Sequence, residues 1–174
     1  MRCSAILRSR VTSTEGYRFR PAARDDLPML RRWLETPEVR RWWGDPDEQE
    51  ALLRDDLDDS RMTMLIVSLD GRPFAYVQHC RVHGWPQPHL AHLPAEARAI
   101  DPLIGEPDML GGGHGPKFLR LLAEQLKRDG APMVVIDPDV DNHRARRAYA
   151  KAGFVGDDVV ETDEGPAILM VHGA

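Results

Sequence analysis

The feature that most constrains the fold of this chain is a run of glycines between a strand-like segment and a helix-like segment. Residues 110–117 read LGGGHGPK, and an apolar helical stripe follows them as far as Gly130. Glycine lets the backbone approach an anion closely, and the N-terminus of a helix adds the positive end of its dipole. The run therefore predicts a cradle for a phosphate group. A flexible loop that only caps the helix is the alternative.

Neither of the two common phosphate-loop patterns accounts for these glycines. A dinucleotide-binding turn requires an acidic residue that closes a following βαβ unit, and the sequence has none in the expected place. A Walker loop requires Gly-Lys followed by Ser or Thr, which the chain lacks. A second motif is needed before the ligand can be identified.

The apolar pattern around the glycine run predicts a single α/β domain (α+β) with a mixed, mostly antiparallel central sheet and flanking helices. Pro37 is expected to break the first helix, and a further helical turn is expected over 39–43. Residues 1–16 follow neither period and are predicted to be a flexible tail, which leaves 17–174 as the domain. Strands are predicted over 17–20, 62–69, 73–82, 98–104, 133–136, 154–160 and 166–171, and helices over 25–34, 45–58, 116–130 and 142–152.

Charge and composition limit the classes of partner that we expect the protein to bind. The net charge of -5 argues against nucleic acid, which selects clustered Lys and Arg, and is compatible with a polycationic small molecule. No apolar run approaches the ~20 residues of a membrane helix, and the first ten residues do not resemble a secretory signal. We therefore expect a cytoplasmic protein with reduced cysteines, which is a monomer or a homodimer and binds neither membrane nor nucleic acid.

A second motif lies at 141–154, where the chain reads DNHRARRAYAKAGF. Asn142 suits the start of a helix, and Tyr149 lies two turns along the same face. This segment resembles the N-x-x-A-x-x-x-Y-x-K-x-G-F hallmark of the GNAT N-acetyltransferase superfamily. Residues 110–115 are similar to its acetyl-CoA signature, Q/R-x-x-G-x-G/A, with Leu110 in place of Gln or Arg. The resemblance implies a GNAT fold with acetyl-CoA as co-substrate. It implies coenzyme contacts from Leu103, Ile104, Leu110, Gly111, Gly112, Gly113, His114, Gly115, Pro116, Lys117, Asn142 and Arg146.

Other segments resemble the aminoglycoside 6'-N-acetyltransferases within that superfamily. They are residues 42–44, 76–78, 98–101, 137–138 and 163–167, whereas the loop 83–94 departs most from the pattern. This resemblance implies antibiotic resistance by acetylation of a 6'-amino group. Siderophore-precursor or protein acylation, and a non-catalytic acetyl-CoA-binding module, are the alternatives. The implied acceptor-binding residues are Trp42, Trp43, Tyr76, Gln78, Asp101 and Asp137.

Two residues carry the expected chemistry of direct transfer in a ternary complex. Asp101 can take the proton of the amine, directly or through water, and Tyr149 resembles the family tyrosine that protonates the coenzyme thiolate. A strand amide near Leu103 or Ile104 is expected to polarise the thioester carbonyl. The alternatives are an exposed strand-end carboxylate for Asp101 and a packed core aromatic for Tyr149.

Four histidines and one cysteine suggest other chemistry that the sequence does not favour. Prolines interrupt the histidine series and no cysteine pair accompanies it, so we expect a solvated loop and no metal. Cys80 has no motif of an acyl-carrying nucleophile. The histidines are His79, His83, His89 and His92.

Overall fold

The computed structural model describes residues 13–14 and 16–173 of the chain. Short 3₁₀ turns at Arg24–Asp26, Pro88–Leu90 and Pro107–Met109 supplement its regular elements. In chain order these elements are β1 Ser13–Thr14, β2 Tyr17–Pro21, α1 Leu27–Leu34, α2 Pro37–Trp43, α3 Pro46–Asp56, β3 Met62–Leu69, β4 Arg72–Arg81, β5 Arg98–Ile104, α4 His114–Arg128, β6 Val134–Ile136, α5 His143–Ala152, β7 Phe154–Thr162 and β8 Gly165–His172.

The strands form one sheet in the order β1-β2-β3-β4-β5-β6-β8-β7. Every neighbouring pair is antiparallel except β5 and β6, which run parallel. The predicted mixed, mostly antiparallel sheet is confirmed. β5 and β6 pair only through Arg98 with Val134 and Ala99 with Val135, and β5 then continues along β4 to Ile104. The sheet therefore opens between β5 and β6.

Two apolar layers cover the two faces of the sheet. On one face α4 and α5 close a core that includes Phe74, Phe118 and Phe154. On the other face α1 to α3 pack through Trp33 onto Tyr76 and other buried residues of the central strands. The opening between β5 and β6 thus lies between two packed layers.

One glycine fixes the end of β5 against the second layer. A Cβ at Gly105 would lie 1.9 Å from Cγ of Trp33, so only glycine permits the indole to approach the backbone here. The indole Nε1 donates a hydrogen bond of 2.8 Å to Glu106 Oε1. α1 is therefore anchored beside the last residues of β5, which border the opening.

Two predictions about the first part of the chain need correction. Ser13 and Thr14, assigned to the tail, pair antiparallel with Arg18 and Tyr17 and add an eighth strand to the seven predicted; residues 1–12 and 15 lie outside the described part. The predicted break at Pro37 is present, since α1 ends at Leu34, but the helical turn predicted over 39–43 starts earlier, at Pro37 itself. Pro37 can begin α2, because proline has no N–H and the first helical position needs none. In the described part of the chain, none of the helices has the length and apolar character required to cross a bilayer.

Candidate active site

The opening between β5 and β6 leads into a cleft of about 1350 Å³. Its walls come from β5, α2, the starts of α4 and α5, the loop 83–94 and the β7–β8 turn. Residues far apart in sequence therefore meet at one place. The predicted site residues that line it are Trp42, Trp43, Gln78, Asp101, Leu103, Ile104, Leu110, Gly115, Asp137, Asn142 and Tyr149.

The glycine run adopts the geometry of an anion cradle. Gly113 precedes the 15-residue helix α4 with φ of 77°, and Gly111 has φ of 80°. A Cβ at either residue would meet no atom within 4 Å, so both backbones face open space. A helix N-terminus with exposed glycine backbone is suited to binding a phosphate group, so the predicted cradle stays a prediction with compatible geometry.

Several predicted coenzyme contacts can be made only through the backbone, or lie outside the lining of the cleft. The ring of His114 faces the core, where its Nδ1 lies 2.7 Å from the hydroxyl oxygen of Tyr17 and its ring lies 5.7 Å from Phe74. Its side chain therefore cannot contact a ligand in the cleft. The guanidinium of Arg146 donates to the carbonyl of Val140 at 3.0 Å. The other predicted contacts outside the lining are Gly111, Gly112, Gly113, Pro116 and Lys117.

The pairing of β5 decides which of its amides faces the opening. The N–H of Arg98 donates towards β6, to Met133, and the N–H of Gly105 donates towards β4, to Phe74. Because amides alternate in direction along a strand, Leu103 shares the direction of Gly105 and Ile104 that of Arg98. The amide of Ile104 therefore lies on the open edge, and that of Leu103 belongs to the β4 ladder.

The side chain of Asn142 has a local structural role. Its Oδ1 accepts a hydrogen bond of 3.1 Å from the amide of Ala145 and caps the N-terminus of α5. Asn142 also lines the cleft, so it fixes the start of the helix that carries Tyr149.

Asp101 lies on β5 opposite Gln78 of β4, and its side chain lines the cleft. The carboxyl is accessible to solvent, but the walls of the cleft surround it. This loss of solvation, with the charges of Asp137 and Glu164, raises its pKa to about 8. A carboxyl with such a pKa can exchange a proton with an amine near neutral pH, and a bound ammonium group would stabilise its ionised form.

Tyr149 lies on α5, across the opening from β5. Its ring packs 6.4 Å from Phe154 and is half-buried, while the residue lines the cleft. Burial and the nearby charges of Asp101 and Asp137 raise the pKa of its hydroxyl above the ordinary value. Among the described residues the hydroxyl makes no hydrogen bond, so a protonated phenol is available to a ligand.

Asp137 follows β6 at the point where β5 has diverged. Its Oδ2 lies 2.9 Å from Nε2 of His89, whose side chain is only 7% exposed. Burial raises the pKa of Asp137, and the contact with His89 opposes that change. The expectation of a solvated loop is therefore wrong at His89, because Leu90 and Leu93 are buried and draw this part of the loop onto the sheet.

The predicted aromatic contacts divide into two kinds. Trp42 and Trp43 are half-buried and line the cleft, and Trp43 packs edge-on to Tyr76 at 6.1 Å. Tyr76 itself is fully buried and donates its hydroxyl to Gln78 Oε1 at 2.7 Å. The prediction that Tyr76 contacts a sugar ring is wrong, since α2 covers the face of β4 that carries it. Gln78 is held by Tyr76 and remains at the cleft.

Among the residues of the cleft that were not named as site residues from sequence, three bear on its chemistry. Trp85 lines it, with the guanidinium of Arg61 4.4 Å from its ring centroid. His89 contacts Asp137, and Glu164 of the β7–β8 turn raises the pKa of Asp101. Glu164 lies in segment 163–167, whose resemblance to the family was a signal, and Trp85 is a tryptophan in a loop rich in proline and histidine. The contact of His89 with Asp137 depends on the tertiary fold. In residues 13–14 and 16–173, no group of three ligand-type side chains is placed to hold a metal ion.

An opening between two parallel strands, beside a glycine-rich helix start and with a carboxyl and a phenol in its walls, is the arrangement expected of an enzyme that transfers an acyl group from coenzyme A. Residues 22–162 match the acetyltransferase (GNAT) domain family. The chain belongs to the GNAT acetyltransferase family and is an acetyltransferase. The predicted fold and the co-substrate, acetyl-CoA, agree with this family.

Individual relatives show which acetyltransferases of this family the chain is similar to. The aminoglycoside N(6')-acetyltransferase type 1 of Klebsiella pneumoniae is 33% identical over 173 residues, covering 92% of this chain and 84% of its own length. A kanamycin resistance protein of Rhizobium radiobacter is 41% identical over 76 residues, 43% of this chain and 70% of that protein. A crystal structure of the aminoglycoside acetyltransferase AAC(6')-Ib with coenzyme A and kanamycin superposes with a TM-score of 0.81 at 33% identity, covering 90% of this chain and 94% of that one.

Proposed function

We propose that this protein transfers the acetyl group of acetyl-CoA to the 6'-amino group of an aminoglycoside, in the cytoplasm, and so confers antibiotic resistance. The observation that carries the proposal is the placement of Asp101 and Tyr149 in one acidic cleft, beside the glycine cradle. The relatives that bind kanamycin and coenzyme A support the same acceptor class.

The coenzyme side of the cleft holds the acetyl donor through backbone groups. The amides around Gly113 and the start of α4 bind the diphosphate, and the open edge of β5 receives the extended arm of the coenzyme. Bound acetyl-CoA supplies an activated acetyl thioester. The N–H of Ile104, which faces the opening, donates to the thioester carbonyl oxygen as negative charge develops there.

The acceptor side holds a polycation and prepares one of its amines. Carboxylates of Asp101, Asp137 and Glu164 attract ammonium groups, while Trp42 and Trp85 provide apolar surface for sugar rings. Asp101 takes the proton from the reacting ammonium, and the nitrogen then attacks the carbonyl carbon. The new C–N bond forms as the C–S bond breaks, and Tyr149 gives its proton to the departing thiolate. The second proton that the nitrogen must lose then passes through solvent to the Tyr149 oxygen, which restores the phenol.

The test is the site of acetylation. Kanamycin is incubated with acetyl-CoA and the protein, and the product is analysed by mass spectrometry with fragmentation. The proposal requires one added acetyl group on the 6'-nitrogen and none on a 6'-hydroxy counterpart, which lacks the nucleophile. Acetylation of polyamines or peptides, but not of kanamycin, would defeat the aminoglycoside assignment and leave the acetyltransferase intact.

A further inference from the structure

The loop 83–94 places one histidine at the acceptor end of the cleft, and the proposed chemistry does not use it. His89 lies in the 3₁₀ turn Pro88–Leu90, and its Nε2 lies 2.9 Å from Asp137 Oδ2. The side chains of His89 and Asp137 are 7% and 30% exposed. A hydrogen bond from an imidazole to a carboxylate, shielded in this way, fixes the orientation of the carboxylate.

The backbone that carries His89 is anchored on both sides. Leu90, the next residue, is buried in a small apolar cluster between the loop and the sheet. On the other side, the guanidinium of Arg61 stacks on Trp85 at 4.4 Å and donates to the carbonyl of Gly84 at 3.2 Å. The backbone that carries His89 is therefore held by contacts of its own loop that do not involve Asp137.

Asp137 keeps free acceptor capacity that faces the cleft. A carboxylate offers about four lone-pair directions, and His89 occupies one of them. Both Asp137 and His89 line the cleft. The remaining directions suit an ammonium group that approaches from the cleft, provided that the carboxylate does not rotate.

We propose that His89 is a positioning residue, which holds the carboxylate of Asp137 ready for a second ammonium group of the acceptor and so helps to select polycationic acceptors. The inference rests on the proposed function, because it needs an acceptor with more than one ammonium group. A histidine that merely neutralised Asp137 would have the opposite effect, since its removal would strengthen acceptor binding.

Steady-state kinetics with kanamycin separate these cases. His89→Ala is expected to raise KM about 10-fold and to leave kcat within about 2-fold, because the lost contact acts on binding before the chemical step. His89→Gln, which retains an N–H donor, should recover most of the loss. His92→Ala, a change at an exposed histidine of the same loop, is the matched control and should leave KM unchanged. An unchanged or lowered KM in His89→Ala overturns the inference.

A double-mutant cycle tests whether His89 acts through Asp137. In an Asp137→Asn background, His89→Ala should change KM by less than about 2-fold, because the group that it positions is already altered. Effects that simply multiply would show that His89 supports the loop and does not act on Asp137, and would overturn the inference.

Calorimetric titration distinguishes failure of the inference from failure of the proposed function. Kanamycin affinity, measured without turnover, should be about 10-fold weaker in His89→Ala, while acetyl-CoA affinity should be unchanged and so report an intact fold. Kanamycin that binds the wild-type protein but is not acetylated would defeat the proposed function alone. Equal kanamycin affinity in the two proteins would defeat the inference alone, and a wild-type protein that does not bind kanamycin would defeat both.

Discussion

The two walls of the cleft differ in the groups that they offer to a ligand: one offers mainly backbone amides, and the other mainly charged and aromatic side chains. The coenzyme wall, as we propose it, consists of the open edge of β5 and the starts of α4 and α5, with the glycine run beside it, and along β5 and α4 it offers backbone amides with small or apolar side chains. The acceptor wall consists of α2, the loop 83–94, Asp137 and the β7–β8 turn, and it offers carboxylates and tryptophans. A wall made of backbone recognises a constant ligand, whereas a wall of side chains can be altered for a particular acceptor.

The largest expected effect on activity comes from a substitution of Asp101, which lies where the two walls meet. Asp101→Asn removes both the proton acceptor and a charge that holds the acceptor amine. We expect kcat/KM for kanamycin to fall by about 10² to 10⁴ at neutral pH, the range found for a positioned general base. Steady-state kinetics provide the measurement, and calorimetry with acetyl-CoA shows whether the coenzyme wall is intact. A loss of less than about 3-fold would remove Asp101 from the chemistry.

A change in the coenzyme wall should weaken the coenzyme and leave the acceptor wall unaffected. Gly113 has φ of 77°, a conformation that strains any residue with a Cβ, and valine would also fill the open space of the cradle. Gly113→Val should therefore weaken acetyl-CoA binding about 30-fold in calorimetry. Gly130→Val is the control, because that glycine also has positive φ but lies at the far end of α4. Equal coenzyme affinity in Gly113→Val and the wild type would remove the cradle assignment.

Tyr149 lies in the coenzyme wall, but its proposed role is in the reaction and not in binding. A change at Tyr149 should therefore alter kcat without altering coenzyme affinity. Tyr149→Phe removes the hydroxyl and keeps the ring that packs on Phe154. We expect kcat to fall about 10-fold, with little change in acetyl-CoA affinity, as for loss of a general acid. If kcat is unaltered at every pH, Tyr149 is a packing residue and another donor protonates the thiolate.

The smallest expected effect is a difference between the two walls in how strongly ionic strength changes KM for the ligand that each wall binds. The acceptor wall attracts a cation through exposed and half-exposed carboxylates, which salt screens. Between about 0.05 and 0.5 M salt, KM for kanamycin should rise about 3-fold more than KM for acetyl-CoA. Equal salt dependence of the two constants would show that charge does not distinguish the two walls.

The same contrast explains how much the sequence predicts. Each motif of the coenzyme wall lies within a short stretch of chain, so the glycine run and the segment from Asn142 to Tyr149 are visible in the sequence. The acceptor wall joins residues from distant segments. His89 and Asp137 are 48 residues apart, and no local pattern predicts their contact.

The errors have physical causes of the same kind. Tyr76 fits the expected motif, but α2 covers the face of β4 on which it lies, and its burial depends on that packing. His114 lies in the glycine signature, but its ring contacts Tyr17 and Phe74, so a contact with the coenzyme can come only from its backbone. In both cases the sequence specifies the residue, while the packing decides which way its side chain points. The oligomeric state, monomer or homodimer, stays a prediction.

The pH dependence of kcat/KM for kanamycin, measured in the wild type and in Asp101→Asn, tests the central claim most directly. A base must be deprotonated to act, and the pKa of Asp101 is raised to about 8, so wild-type kcat/KM should rise with pH and level off above about 8. The variant can use only kanamycin whose amine has lost its proton in solution, so its kcat/KM should continue to rise above about pH 8, and the ratio of wild-type to variant kcat/KM should fall there. A ratio that stays constant with pH would contradict the account, because no proton would then pass through Asp101.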